Sequence, residues 1–165
     1  MPQSTKPSTT FGTTADENHA GYRNPRSHKR QSHRPARELL KVIQQQGARL
    51  VLSPFLLDEV QRVLWYPRIQ AIYKLDTNDI LEHVQLLESL ADLVVPAEGP
   101  SLVLKDPNDD PVVYTALAGG ADVLCTVDRH FYEPNVLSFC ARYDIQVMTD
   151  VELLGEIRRA CIIQV

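Results

Sequence analysis

The chain has 165 residues and 18.6 kDa, with 44% hydrophobic and 23% charged residues, the balance of a single globular domain, which excludes collagenous, coiled-coil and wholly disordered chains. No apolar run approaches the roughly 20 residues of a membrane span, and the start MPQSTKPSTT has no apolar segment for secretion, so a cytoplasmic protein with no membrane partner is expected. The net charge of −4 is unevenly shared, with residues 1–35 at +4 and the rest at −8, and so acidic a body does not suit a protein that coats nucleic acid by neutralising phosphates.

Residues 1–34 contain Ser, Thr, Pro, Asn, Arg and His and almost no aliphatic side chains. They are read as a disordered polar, basic tail, and residues 35–165 as the folded domain. SHKRQSHR within the tail is either a basic arm for RNA or an acidic partner, or a solvated stretch with no task. His19, His28 and His33 lack the spacing that would make a metal site.

From Pro35 the text alternates between helix-like and strand-like units. PARELLKVIQQQG predicts a helix with Leu39, Leu40 and Ile43 on one face and Gly47 as its stop. ARLVLS is a short apolar strand, followed by PFLLDEVQRVLWY, a helix capped by Ser53 with Pro54 in its first position. TNDILEHVQLLESLA is a helix with Ile80, Val84, Leu87 and Leu90 on one face, and DLVVP a strand. DPVVYTALAGG is a helix stopped by paired glycines, ADVLCTV a strand, NVLSFCARY a helix and DIQVMT a strand. TDVELLGEIRRA closes the chain, with Thr149 and Glu152 at capping-box spacing. Short apolar strands between amphipathic helices predict a three-layer α/β/α sandwich around a mainly parallel sheet. Cys125, Cys140 and Cys161 show no metal-type spacing and are expected to be core residues.

In such a sheet ligands bind beyond the carboxyl ends of the strands. The strand ADVLCTV runs toward Asp128. The helix before it is nearly as long as the strand and reverses at Gly119-Gly120, so its start, with Asp109 and Asp110, returns to the same edge. RLVLS leads to Ser53, and Glu59 lies a turn and a half into the next helix, within reach of that edge. With Arg129 the only cation among them, these carboxylates would raise one another's pKa unless a cation were bound, and hard oxygen ligands suit Mg²⁺ or Mn²⁺. Each acid also has a plainer role available: Asp110 as an N-cap before Pro111, Asp109 as a turn residue in DPNDDP, Glu59 as an exposed side chain, Asp128 as a turn former.

SPFLLDEVQRVLWYPRI and DPNDDPVVYTALAGGADVLCTVDRHF, with the order of elements from Pro35 to Thr149, resemble the PIN-domain family, and within it the VapC-like toxin ribonucleases of toxin–antitoxin pairs. The second block is the more specific. The resemblance implies a metal-dependent endoribonuclease with Glu59, Asp109 and Asp128 as catalytic acids and Mg²⁺ or Mn²⁺ as cofactor. It further implies Thr126 as a support for Asp128 or a water, an RNA substrate, a cognate antitoxin and a homodimer. Asp109 is preferred to Asp110 by ungapped counting back from LAGGA, with Asp110 kept as a further metal ligand.

Members of that family open with a strand ending in an acid, and residues 1–34 show no apolar run that would make one. The first strand and its Asp are therefore expected to be missing, through a shifted reading frame or a misassigned start in preference to gene decay. An alternative is a catalytically inactive remnant that binds an antitoxin or a second copy through helical faces such as Leu81 to Leu90. A phosphoryl-accepting receiver or a phosphatase would need a nucleophilic Asp after an early strand, where this chain has Ser53-Pro54.

Overall fold

The structure, a computed structural model, describes residues 8–11 and 34–162. Five parallel strands form one sheet in the order β3-β2-β1-β4-β5: β1 Ser8–Phe11, β2 Arg49–Leu52, β3 Ala91–Leu93, β4 Val123–Cys125 and β5 Gln146–Met148. Seven helices accompany them among the described residues: α1 Arg34–Gln46, α2 Pro54–Leu64, α3 Pro67–Tyr73, α4 Thr77–Leu90, α5 Asp110–Ala118, α6 Pro134–Arg142 and α7 Asp150–Ile162.

The sheet has two cores because its middle strands are covered on both faces. Along β4, Val123 and Cys125 pack with Leu39 of α1 and Leu153 and Leu154 of α7. Leu124 points the other way, into a larger cluster with Leu50, Leu52, Leu56, Val112, Val113, Phe131 and Val136, as the two-residue period of a strand requires. The α/β/α layering read from the sequence is therefore observed. Val112 to Ala116 of α5 are all buried, so this helix shows no polar face and sits inside the molecule.

One expectation is corrected. The first strand is not missing: Ser8–Phe11 forms β1 in the centre of the sheet, with Thr9 paired to Leu50 on one side and to Val123 on the other. Its sequence, STTF, contains no apolar run because two threonines stand where aliphatic residues would; threonine is β-branched and favours strands for the same steric reason as valine. No account of a lost strand is needed, and the folded unit takes in these residues of the stretch read as tail. The rest of residues 1–33, with the basic arm and Asp16, lies outside the described residues, as does the side chain of Cys161.

Local signals held closely elsewhere. Ser53 Oγ accepts from the Leu56 amide at 3.4 Å, and Thr149 and Glu152 form the reciprocal box, Glu152 accepting from the Thr149 amide at 2.8 Å. That bond holds the Glu152 carboxyl below the usual range. Helix α3 was not foreseen: PRIQAIY begins with proline at its first turn after Tyr66, a start signal that a continuous reading of α2 conceals. On α4 only Ile80 of the predicted face is buried. Cys125 and Cys140 are buried free thiols, pushed up to about 12 and about 11 by that burial, which makes them inert packing groups.

Candidate functional site

Strand order 3-2-1-4-5 reverses direction at β1. The crevice at the carboxyl ends of β1 and β4 is thus the place where a doubly wound sheet binds ligands, and it is here that the chain gathers its acids. The last turn of α5 bonds back through the Gly120 amide to Leu117 O at 3.1 Å and the Ala121 amide to Ala116 O at 2.9 Å, with Gly120 at φ 56°, a conformation glycine takes without penalty. Gly119 also permits a close approach, since a Cβ there would lie 2.2 Å from Val51 Cγ1. The reversal lays α5 against β4 and returns its start to the exit of that strand. Ligand atoms of Asp109, Asp128 and His130 lie within 4.8 Å of one another, although 19 positions separate the two aspartates.

Each side chain is held by identifiable neighbours. Asp109 occupies the N-cap position of α5 but makes no capping bond, leaving its carboxylate turned to its neighbours. The capping duty of the short 3-10 turn Pro107–Asp109 belongs to Asp106, which accepts from the Asn108 amide at 3.1 Å. Asp128 follows β4 in a turn: its amide donates to Thr126 Oγ1 at 3.1 Å, and its Oδ1 accepts from the His130 amide at 2.9 Å. Thr126 is buried, and Tyr132 Oη donates to its carbonyl at 3.0 Å. Burial pushes the Tyr132 hydroxyl up to about 12, so it remains a donor. His130 Nδ1 stands 3.6 Å from Asp128 Oδ1.

The electrostatics single out Asp109. Its carboxyl is pushed up to about 6 from an ordinary 3.8, first by burial, then by Asp106 and Asp128, with Glu59 adding to the same direction and His130 opposing it. Partial desolvation in a ring of like charge favours the protonated acid, and a bound cation is the alternative way to relieve it. Two carboxylates and an imidazole are a donor set that suits a divalent transition metal, and carboxylates alone suit magnesium. The residues present therefore fit a divalent ion.

Glu59 stands on α2 close enough to raise Asp109, yet outside the three-residue group, with its Oε2 2.5 Å from Arg62 Nη2. Its helix is fixed relative to α5 by a buried pair: Thr115 Oγ1 lies 2.9 Å from Ser53 Oγ and 2.7 Å from Pro111 O. Asp110 also stands outside the group. It is not the N-cap but the first residue of α5, and its Oδ1 accepts from the Leu102 amide at 2.9 Å and the Val103 amide at 2.7 Å. It thereby anchors the loop before the helix. Asp106 and His130 were not singled out from the sequence. The spacing Asp128-x-His130 was the available signal, because an aspartate that accepts from the amide two residues on brings that residue's side chain to its own side of the turn.

A doubly wound sheet with carboxylates at its switch point defines an α/β protein with a ligand site on that rim. A family model described as PIN domain matches residues 27–130, more than half of the chain, and the chain belongs to the PIN-domain family. Membership points to a nuclease, and PIN domains generally use divalent metals. No curated protein and no solved structure matches the chain. Among the described residues no helix is long and apolar enough to cross a membrane.

Proposed function

We propose that this protein is a divalent-metal-dependent endoribonuclease whose ion, Mg²⁺ or Mn²⁺, is held by Asp109 and Asp128, with Glu59 as the third catalytic acid. The observation that carries this reading is the group at the end of β4: aspartates from distant segments meet at the switch point, and the carboxyl of Asp109 is raised by burial and by its acidic neighbours. A bound ion supplies an activated water and offsets charge on the phosphate oxygens. The chain's own residues hold and shape the site. Asp109 gives up its proton to ligate, Thr126 and Tyr132 fix the turn that aims Asp128, and the Ser53–Thr115 pair sets the distance between Glu59 and the two aspartates. Asp110 holds the loop Leu102–Val103 and so the entry to α5.

The likeness to toxin ribonucleases extends the reading to a cytoplasmic toxin with a cognate antitoxin and a second copy of the chain as protein partners. The segment from α2 to α4 supports such contacts, because it leaves Trp65, at the end of α2, and Ile72, Leu81 and Leu86 exposed, apolar surface of the kind that marks interfaces.

The test is cleavage of labelled single-stranded RNA by the full chain with Mn²⁺, stopped by a chelator. Asp109→Asn and Asp128→Asn should each lower the rate about a hundredfold or more, as loss of several kcal/mol of metal-supplied stabilisation dictates. Full cleavage by both variants overturns the assignment. Antitoxin binding with no turnover by the wild type would mark the chain as the inactive remnant instead.

A further inference from the structure

The side chain at the rim that the nuclease reading leaves without a task is His130. It belongs to the 3-10 turn Arg129–Tyr132, whose other members are committed elsewhere: Phe131 is fully buried in the larger core, Tyr132 is bonded to Thr126 O, and Arg129 is exposed. With Phe131 driven into the interior and the His130 amide tied to Asp128 Oδ1, the imidazole is confined to the acid side of the turn. Its nitrogen stands with the oxygens of Asp109 and Asp128 inside a 4.8 Å group, 3.6 Å from Asp128 Oδ1, so that shifts of a few tenths of an ångström bring all three within the roughly 4.4 Å that spans an ion bound at about 2.2 Å.

We propose that His130 is a direct ligand, supplying one nitrogen to the divalent ion held by Asp109 and Asp128, so that this site selects manganese-class transition ions over magnesium. The inference rests on the metal site proposed above and specifies its donor set. Imidazole nitrogen suits transition metals, whereas Mg²⁺ takes oxygen ligands and retains its waters. An O,O,N set therefore discriminates where an all-carboxylate set does not. The Asp128 turn acts as the support that orients the ring, as hydrogen-bonded partners orient ligating histidines in general.

The experiment uses the metal-free full chain titrated with Mn²⁺ and, separately, with Mg²⁺, and electron spin-echo measurement of the bound Mn²⁺. Nitrogen modulation from a directly bound imidazole is expected in the wild type and should vanish in His130→Gln, which leaves the chain's other four histidines in place. The same variant should weaken Mn²⁺ about tenfold or more and Mg²⁺ less than about twofold. Bound Mn²⁺ that is lost in Asp109→Asn and Asp128→Asn but shows no nitrogen modulation overturns the role of His130 and leaves the metal site standing. Modulation that persists in His130→Gln, or equal weakening of both ions, overturns it likewise. Absence of Mn²⁺ binding in the wild type overturns the metal site and this inference with it. A wild-type spectrum of bound Mn²⁺ without nitrogen modulation overturns the role of His130 with no variant that must fold.

Discussion

The two edges of the parallel sheet treat charge in opposite ways. Where the strands begin, Arg49 at the start of β2 lies 2.5 Å from Asp92 Oδ2 and donates to Gly119 O at 2.9 Å, so one cation closes a carboxylate and a helix end together. Where the strands end, burial first and then Asp106, Asp128 and Glu59 act on Asp109 against an opposing His130, and its carboxyl is raised to about 6. The first edge is neutralised in place; the second leaves Asp109 half-buried among like charges at a cost to the fold, a pattern that clusters at functional sites.

Substitutions can break or sharpen that contrast. The largest effect is expected at Asp110, which shares the charge of its neighbour but serves the fold. Asp110→Ala leaves the Leu102 and Val103 amides, both on buried residues, without their acceptor, and should cost about 2–3 kcal/mol in urea denaturation. Asp109→Asn should do the reverse. In metal-free protein the raised pKa implies a folded state that prefers the neutral group, and after discounting for partial exposure the variant should gain about 1–2 kcal/mol at pH 7.

The sign fixes a pH window for that gain. The folded protein holds the Asp109 proton up to about pH 6 and the unfolded chain releases it near 3.8, so the wild type loses this stability as pH rises between those values. The advantage of Asp109→Asn should therefore be absent below about pH 4 and complete above pH 6 to 7. A variant less stable than wild type at pH 7 would erase the difference between the edges. The smallest effect belongs to the amino edge: Arg49→Ala removes an exposed ion pair and should cost about 1 kcal/mol or less, declining with added salt.

Much of this architecture was legible because local signals agree with the fold. Caps at Ser53 and Thr149, prolines opening helices and the glycine pair at 119–120 marked element ends, and the near-equal lengths of α5 and β4 brought Asp109 and Asp128 to one edge on paper. Less legible was β1. STTF has no hydrophobic pattern and is a strand only because β2 and β4 offer it a ladder on both sides, which is a long-range pairing.

The sequence by itself determined six of the seven described helices, four of the five strands and the edge at which the acids gather, since those depend on periodicity, caps and chain length between neighbours. The tertiary structure alone decided that Ser8–Phe11 is the central strand, that Asp110 serves two backbone amides while Asp109 stands uncapped, and that an imidazole joins the acids. Adjacent aspartates have the same local preferences; which one meets Asp128 and which meets Leu102 and Val103 depends on how α5 lies against β4 and the preceding loop. Local composition does not encode that contact, because the partners lie elsewhere in the chain.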